Sequence, residues 1–181
     1  MTYKDVTILQ FQRFHSAVIH HGFSFDDGSL LLANIYEIGM EILNIFEDVP
    51  IAESKLWKVK YFDKRLEKYA FLLNSLPSDE WVKEFEFNGN IYKVKQTPDQ
   101  WNTAQFVSMA NLTKDRDKIM DVVHIIVAVM CTDDDSHVIQ RSREFQDGLS
   151  IAIAYPLALF FCAVMLKLPP STLRYLKARV K

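Results

Sequence analysis

Glycine is scarce in this chain, with five residues in 181. A fold built from many tight turns needs more, so the scarcity favours helices. Cysteine is scarcer. Cys131 and Cys162 both stand in apolar helical contexts and read as reduced, buried thiols. There is no surplus of positive charge: the formal net charge is -2 and the pI about 6.2, which argues against a dedicated nucleic-acid binder. Catalytic signatures are missing too. The sequence has no phosphate-cradling glycine loop, no His-Glu-x-x-His, no Cys-x-x-Cys and no Gly-x-Ser-x-Gly. No apolar stretch of signal-peptide type follows the charge in Met1-Thr2-Tyr3-Lys4-Asp5, so the expected setting is a reducing cytoplasm.

What is present is the composition of a folded protein: 49% hydrophobic and 24% charged residues, enough for one domain or two small ones with a proper core. Thirteen phenylalanines are sufficient for a contact surface as well as a core. Of the histidines, His20 and His21 are adjacent and diverge by about 100° on a helix, a poor grip for one metal. His124 lies within apolar Val122–Met130 and reads as a hydrogen-bonded core residue. Asp133, Asp134 and Asp135 lack the alternate spacing, central glycine and closing glutamate of a calcium loop. No cofactor or metal is expected, and without a convergent acid, base and nucleophile the chain is not read as an enzyme.

Hydrophobic periodicity divides the chain into helices. A first helix starts at the N-cap Thr7 and runs to His21, with Gly22 as its stop. A second, apolar around most of its circumference and so expected at the centre of the core, runs from about Ser29 to Phe46. After Val49-Pro50 a third is expected from Ala52 to Ser75. It would place Leu56, Val59, Phe62, Leu66, Tyr69 and Leu73 on one face and Lys55, Lys58, Lys60, Lys64, Arg65 and Lys68 elsewhere. That basic bias reads as a solvated face or as a surface meeting an acidic partner. Leu76-Pro77-Ser78-Asp79 marks a boundary. Beyond it, alternation on both sides of Asn88-Gly89 predicts a β-hairpin over Glu84–Lys95, pairing Phe85 with Tyr92 and Glu84 with Lys93. Helices are then expected over Thr103–Leu112, Asp115–Met130, Arg143–Ala154, Pro156–Leu166 and Ser171–Arg179. Leu149 to Leu166 carries no charge, but Pro156 at its middle argues for two buried helices joined at Tyr155-Pro156, not a membrane span.

The chain also echoes itself. Thr7-Ile8-Leu9-Gln10-Phe11 is matched by Asn102-Thr103-Ala104-Gln105-Phe106, and Val49-Pro50-Ile51 by Tyr155-Pro156-Leu157. The acidic stretch Cys131–Ser142 absorbs the difference in offset as a loop insertion. The fold expected is therefore mostly α: two similar helical halves, residues 1–77 and 99–181, joined by a linker and β-hairpin at residues 78–98, with six to eight helices in all. In each echo the Gln could bond a nearby backbone group while the Phe enters the core, or the pair could contact a partner.

The Asn-Gly hairpin Phe87-Asn88-Gly89-Asn90-Ile91-Tyr92-Lys93-Val94 is followed by Trp101-Asn102-Thr103-Ala104-Gln105-Phe106, the apolar helix Val122–Met130 and a late Leu159-Phe160-Phe161. In this order it resembles the small helical proteins of the structural-gene modules of tailed bacteriophages, particularly crAss-like phages. The resemblance spans roughly Phe85 to Leu166, with a weaker echo in Asp5-Val6-Thr7 to Phe11. It implies a virion or assembly role without catalytic residues. The role could be that of an oligomeric ring or adaptor subunit at the head-to-tail neck, found in the virion and in the host cytoplasm during assembly. It could also be that of a transient tail assembly chaperone. Partners would be copies of the chain and other phage structural proteins. Candidate contact residues are Gln10, Phe11, Phe85, Phe87, Ile91, Tyr92, Gln105 and Phe106. The acid-free tail Lys167, Arg174, Lys177, Arg179 and Lys181 could favour a helix C-terminus or meet an acidic neighbour or packaged DNA.

Overall fold

The computed structural model describes residues 1–21, 32–73, 76, 82–115, 118–131 and 137–167. Its first four helices are α1 (Ile8–His20), α2 (Leu32–Glu47), α3 (Ile51–Ser54) and α4 (Val59–Leu66). Strands β1 (Glu84–Phe87) and β2 (Asn90–Lys93) follow, then α5 (Thr103–Leu112), α6 (Ile119–Met130), α7 (Val138–Gly148) and α8 (Ile151–Lys167). Short 3-10 turns cover Tyr3–Asp5, Glu67–Leu73 and Pro98–Gln100. The protein is mostly helical, with one antiparallel hairpin between helices among the described residues.

The two halves open alike. Thr7 Oγ1 accepts the Gln10 amide at 3.2 Å while Gln10 Oε1 accepts the Thr7 amide at 3.1 Å. At α5, Asn102 Oδ1 accepts the Gln105 amide at 2.8 Å and Gln105 Oε1 accepts the Asn102 amide at 3.1 Å. Each is a reciprocal capping box that satisfies two otherwise orphaned donors. Phe11 and Phe106 follow directly and are buried. The repeated Gln-Phe is thus a helix-start device with a core anchor attached.

The halves then diverge. Pro50 is the N-cap of α3, whereas Pro156 lies inside α8, so the two prolines do not mark equivalent bends. The chain breaks instead at Leu149-Ser150. There Ile8 N–H donates to the Leu149 carbonyl at 3.0 Å, and Ile151 N–H to the Val6 carbonyl at 2.9 Å. Ser150 Oγ donates to the Tyr3 carbonyl at 3.0 Å and accepts the Ala152 amide at 3.2 Å. The extended N-terminal segment supplies the bonds that end α7 and start α8, so the break lies where those partners are. An interior proline costs about 3 kcal/mol or more. Ile151, Ala154, Leu157, Ala158 and Phe161 are 0% exposed at three- and four-residue spacing, and their burial offsets that cost.

The helix expected from Ala52 to Ser75 is also broken. It stops at Ser54, whose hydroxyl donates to the Ile51 carbonyl at 3.1 Å, and restarts at Val59 after a turn. The restart changes the phase. Phe62, Tyr69 and Leu72 face inward, but Leu56 and Val59 are 85% and 59% exposed instead of buried. Above this segment, α2 carries Gly39, where an added Cβ would stand 2.6 Å from Leu66 Cδ1 and 2.9 Å from Phe62 Cζ. A side chain here would force the ends of Leu66 and Phe62 to shift, so glycine suits the present α2–α4 packing.

The core centres on α6 and α8, not on α2. α6 packs against α1, α5, α7 and α8, and Val123, Ile126, Val127 and Ala128 are 0% exposed. α2 packs on α1, α3 and α4 and leaves Ile35 and Tyr36 exposed. α1 joins the two sides, because it packs on α2 and also on α6, α7 and α8. One hydrophobic cluster therefore runs from Val6 to Met165. The loop expected over Phe23–Ser29, the Pro77-Ser78-Asp79 boundary, the Asp133–Asp135 loop and the 171–179 helix lie outside the described residues.

Candidate functional site

The hairpin has two unlike faces. Its register is the expected one, Glu84 opposite Lys93 and Phe85 opposite Tyr92. Asn88 and Gly89 adopt φ of 50° and 73°, the left-handed pair that a two-residue turn of this hand requires. On the inner face, Phe85, Phe87 and Tyr92 surround Phe145 of α7, with ring centroids 5.7, 5.4 and 5.1 Å from its own. Phe145 is 0% exposed. Sequence reasoning missed it, although its three-residue spacing from Ser142 and Gly148 on an otherwise polar helix marks an inward position. The Arg141 guanidinium lies 5.2 Å above the Tyr92 ring and closes one end of the cluster.

The outer face carries Glu84, Glu86, Ile91 and Lys93, and Ile91 is 68% exposed. The two-residue turn makes Phe87–Asn90 a hydrogen-bonded pair, and Val94 N–H donates to the Lys83 carbonyl at 2.9 Å. By the antiparallel alternation, Ile91 and Lys93 therefore direct their backbone groups away from β1. An open groove of about 740 Å³ runs beside this edge, lined by Ile91, Lys93, Lys95, Gln100, Cys131 and Arg141. Burial pushes the Cys131 thiol up to about 12, against the pull of Arg141 and Lys95. Neither cysteine forms a disulfide.

Of the other candidate contact residues, most face the chain's own interior. Phe11, Phe85 and Phe106 are buried, and Gln105 is 1% exposed. Gln105 Nε2 donates to the Val129 carbonyl at 3.1 Å and its Oε1 also accepts from Lys95 Nζ at 3.1 Å. Gln10, Phe87 and Tyr92 are half-buried, which leaves Ile91 as the apolar member presented to solvent. Lys167 ends α8, while Arg174, Lys177, Arg179 and Lys181 lie outside the described residues.

A second surface, not singled out from sequence beyond its charge, is the turn from α3 into α4. Lys55, Lys58 and Lys60 alternate there with Leu56, Trp57, Val59 and Tyr61. Trp57 and Tyr61 pack edge to face at 4.9 Å, with the Arg65 guanidinium 5.7 and 6.0 Å from their ring centres. Arg65 and Lys68 are both committed to Glu47, which Tyr69 also meets through a 2.9 Å hydrogen bond. Lys55, Lys58 and Lys60 are exposed and form no ion pair among the described residues.

His124 lies beside Gln12 in a helix junction, half-buried and not within the core that its apolar setting implied. Gln12 Nε2 donates to the Met120 and Asp121 carbonyls at 2.8 and 3.0 Å and lies 3.2 Å from His124 Nδ1. Gln146 Nε2 donates to Gln12 Oε1 at 2.7 Å, so the Gln12 amide presents its nitrogen, the donor end, to His124 Nδ1. Burial lowers the His124 pKa, and also that of His15, where the Asp121 charge opposes it. Among the described residues there is no cluster of three or more His, Cys, Asp or Glu placed to hold a metal, and no helix long and apolar enough to cross a membrane. No family model, curated protein or solved structure matches this chain.

Proposed function

We propose that this chain is a non-enzymatic structural subunit of a tailed-phage particle, working as one copy in an oligomeric ring or adaptor at the head-to-tail junction. The observation that carries the reading is the hairpin. Its aromatic face is anchored on Phe145, while its other face presents Ile91 at 68% exposure beside a strand edge with outward-directed backbone groups. An isolated edge of this kind is a liability in a monomer and a contact in an assembly. The phage setting rests on the sequence resemblance at Phe85–Leu166.

Mass spectrometry of purified particles of the encoding phage tests the reading directly. Multiple copies per finished particle are expected. Absence from finished particles, with binding to a tail protein only before assembly, would replace the ring subunit with a tail assembly chaperone.

A further inference from the structure

We infer that the Lys55–Tyr61 turn docks on the outer face of the hairpin of a second copy of this chain, making a head-to-tail contact. The inference rests on the assembly reading above and names the two surfaces involved. Charge is distributed unevenly along the sequence. Residues 53–68 hold six Lys and Arg against three acids, residues 167–181 hold five against none, and the other positions hold ten against twenty. The basic turn is thus set in a chain that is acidic over most of its length, and a second copy is a complementary partner.

The two faces match in kind. The turn offers Leu56 and Val59, 85% and 59% exposed, flanked by Lys55, Lys58 and Lys60. The hairpin offers Ile91, 68% exposed, directly across from Glu86, with Glu84 on the same face. Neither glutamate forms an ion pair among the described residues, although Lys93 stands opposite Glu84. Each surface is an apolar centre flanked by charges without an ion pair among the described residues: the turn is basic, and the hairpin face, with Glu84 and Glu86 against Lys93, is net acidic. Lysine contacts to a phosphate backbone alone would leave these aliphatic side chains in water. Burying them needs an apolar counterpart, which the second hairpin supplies.

Placement supports a head-to-tail contact. Packing runs from α4 to α2, from α2 to α1 and from α1 to α7, on which the hairpin sits. The turn and the hairpin are therefore separated by successive helix layers. Two different patches on separate parts of one subunit are what a ring requires, since each copy gives one patch and receives the other.

A charge-swap pair tests this with the full chain by sedimentation velocity at low salt. One variant carries Lys55→Glu, Lys58→Glu and Lys60→Glu; the other carries Glu84→Lys and Glu86→Lys. All five positions are exposed, so folding is retained, and circular dichroism checks it. Each variant alone is expected to self-associate roughly tenfold more weakly or worse. An equimolar mixture should recover association, because the reversed turn of one variant meets the reversed hairpin of the other. Self-association unchanged in either variant, or no recovery on mixing, overturns the contact. A parent chain monomeric at every concentration overturns it too. Particle mass spectrometry judges the virion role independently of these outcomes.

Discussion

Gln105 of α5 donates from Nε2 to the carbonyl of Val129, 24 residues on in α6, at 3.1 Å, while its backbone and Oε1 close the cap of its own helix. One buried side chain therefore holds a helix start to a helix end. Gln105→Leu should remove the bonds to the Val129 carbonyl and the Asn102 amide and cost about 1–3 kcal/mol. The matching Gln10→Leu removes only a half-exposed cap and should cost about 0.5–1 kcal/mol. Urea denaturation of both variants checks the order; equal losses would mean that the Val129 bond contributes nothing.

Gly39→Ala should destabilise the protein by about 1–3 kcal/mol, because the new methyl meets Leu66 and Phe62 closer than van der Waals contact allows. At an open helix position the same change would stabilise by about 0.5–1 kcal/mol. The sign of the change in denaturation midpoint decides between a tight α2–α4 contact and a loose one.

Asn88→Val with Gly89→Val forces β-branched side chains into positive φ, at about 1–3 kcal/mol per residue. Amide protection should fall in β1 and β2 while α6 and α8 stay protected, since their buried stripes do not depend on the turn. Partner binding should suffer more than global folding. Hydrogen exchange that collapses uniformly would refute that separation.

Acid should weaken the α1–α6–α7 junction. His15 and His124 have pKa values lowered below the usual 6.5 by burial, so the fold favours their neutral forms. Their contribution is complete above the unfolded value of about 6.5 and is lost as pH falls toward the lower folded values. Protonated His124 Nδ1 would also point a proton at the Gln12 amide donor. Urea midpoints should drop between about pH 7.5 and about pH 5.5. The drop should shrink in a His15→Gln, His124→Gln double variant; an identical drop would assign the acid sensitivity elsewhere.

The Cys131 thiol, pushed up to about 12, carries little thiolate near neutrality. Alkylation by iodoacetamide should be far slower in the folded protein than in urea, with mass spectrometry locating the label. Rapid native labelling at Cys131 would show that this side of the groove opens.

Much of the hairpin was legible in the sequence, down to the Phe85–Tyr92 pair, because Asn88-Gly89 sets the turn and alternation with period two sets the faces. What alternation could not reveal was which face would be covered. Phe85 and Tyr92 read as candidate contact residues, and Phe145 from α7, more than fifty residues away, packs on both, with Phe85 buried and Tyr92 half-buried. Leu56 and Val59 fit an apolar helical stripe on paper. The turn after Ser54 moved them out of phase and into solvent.

The sequence alone determined the local devices: the Thr7 and Asn102 caps with their Gln partners three residues on, the hairpin turn, and the scarcity of glycine that makes the chain helical. These depend on groups within a few residues of one another, so composition and spacing suffice. Tertiary structure decided where the late helices divide, which helix lies at the centre and which apolar side chains remain outside. Leu149-Ser150 became a break, and Pro156 a helix interior, because Val6 and Ile8 bring backbone partners from the other end of the chain. A backbone break forms where its freed donors and acceptors find partners, and those partners stand more than 140 residues away.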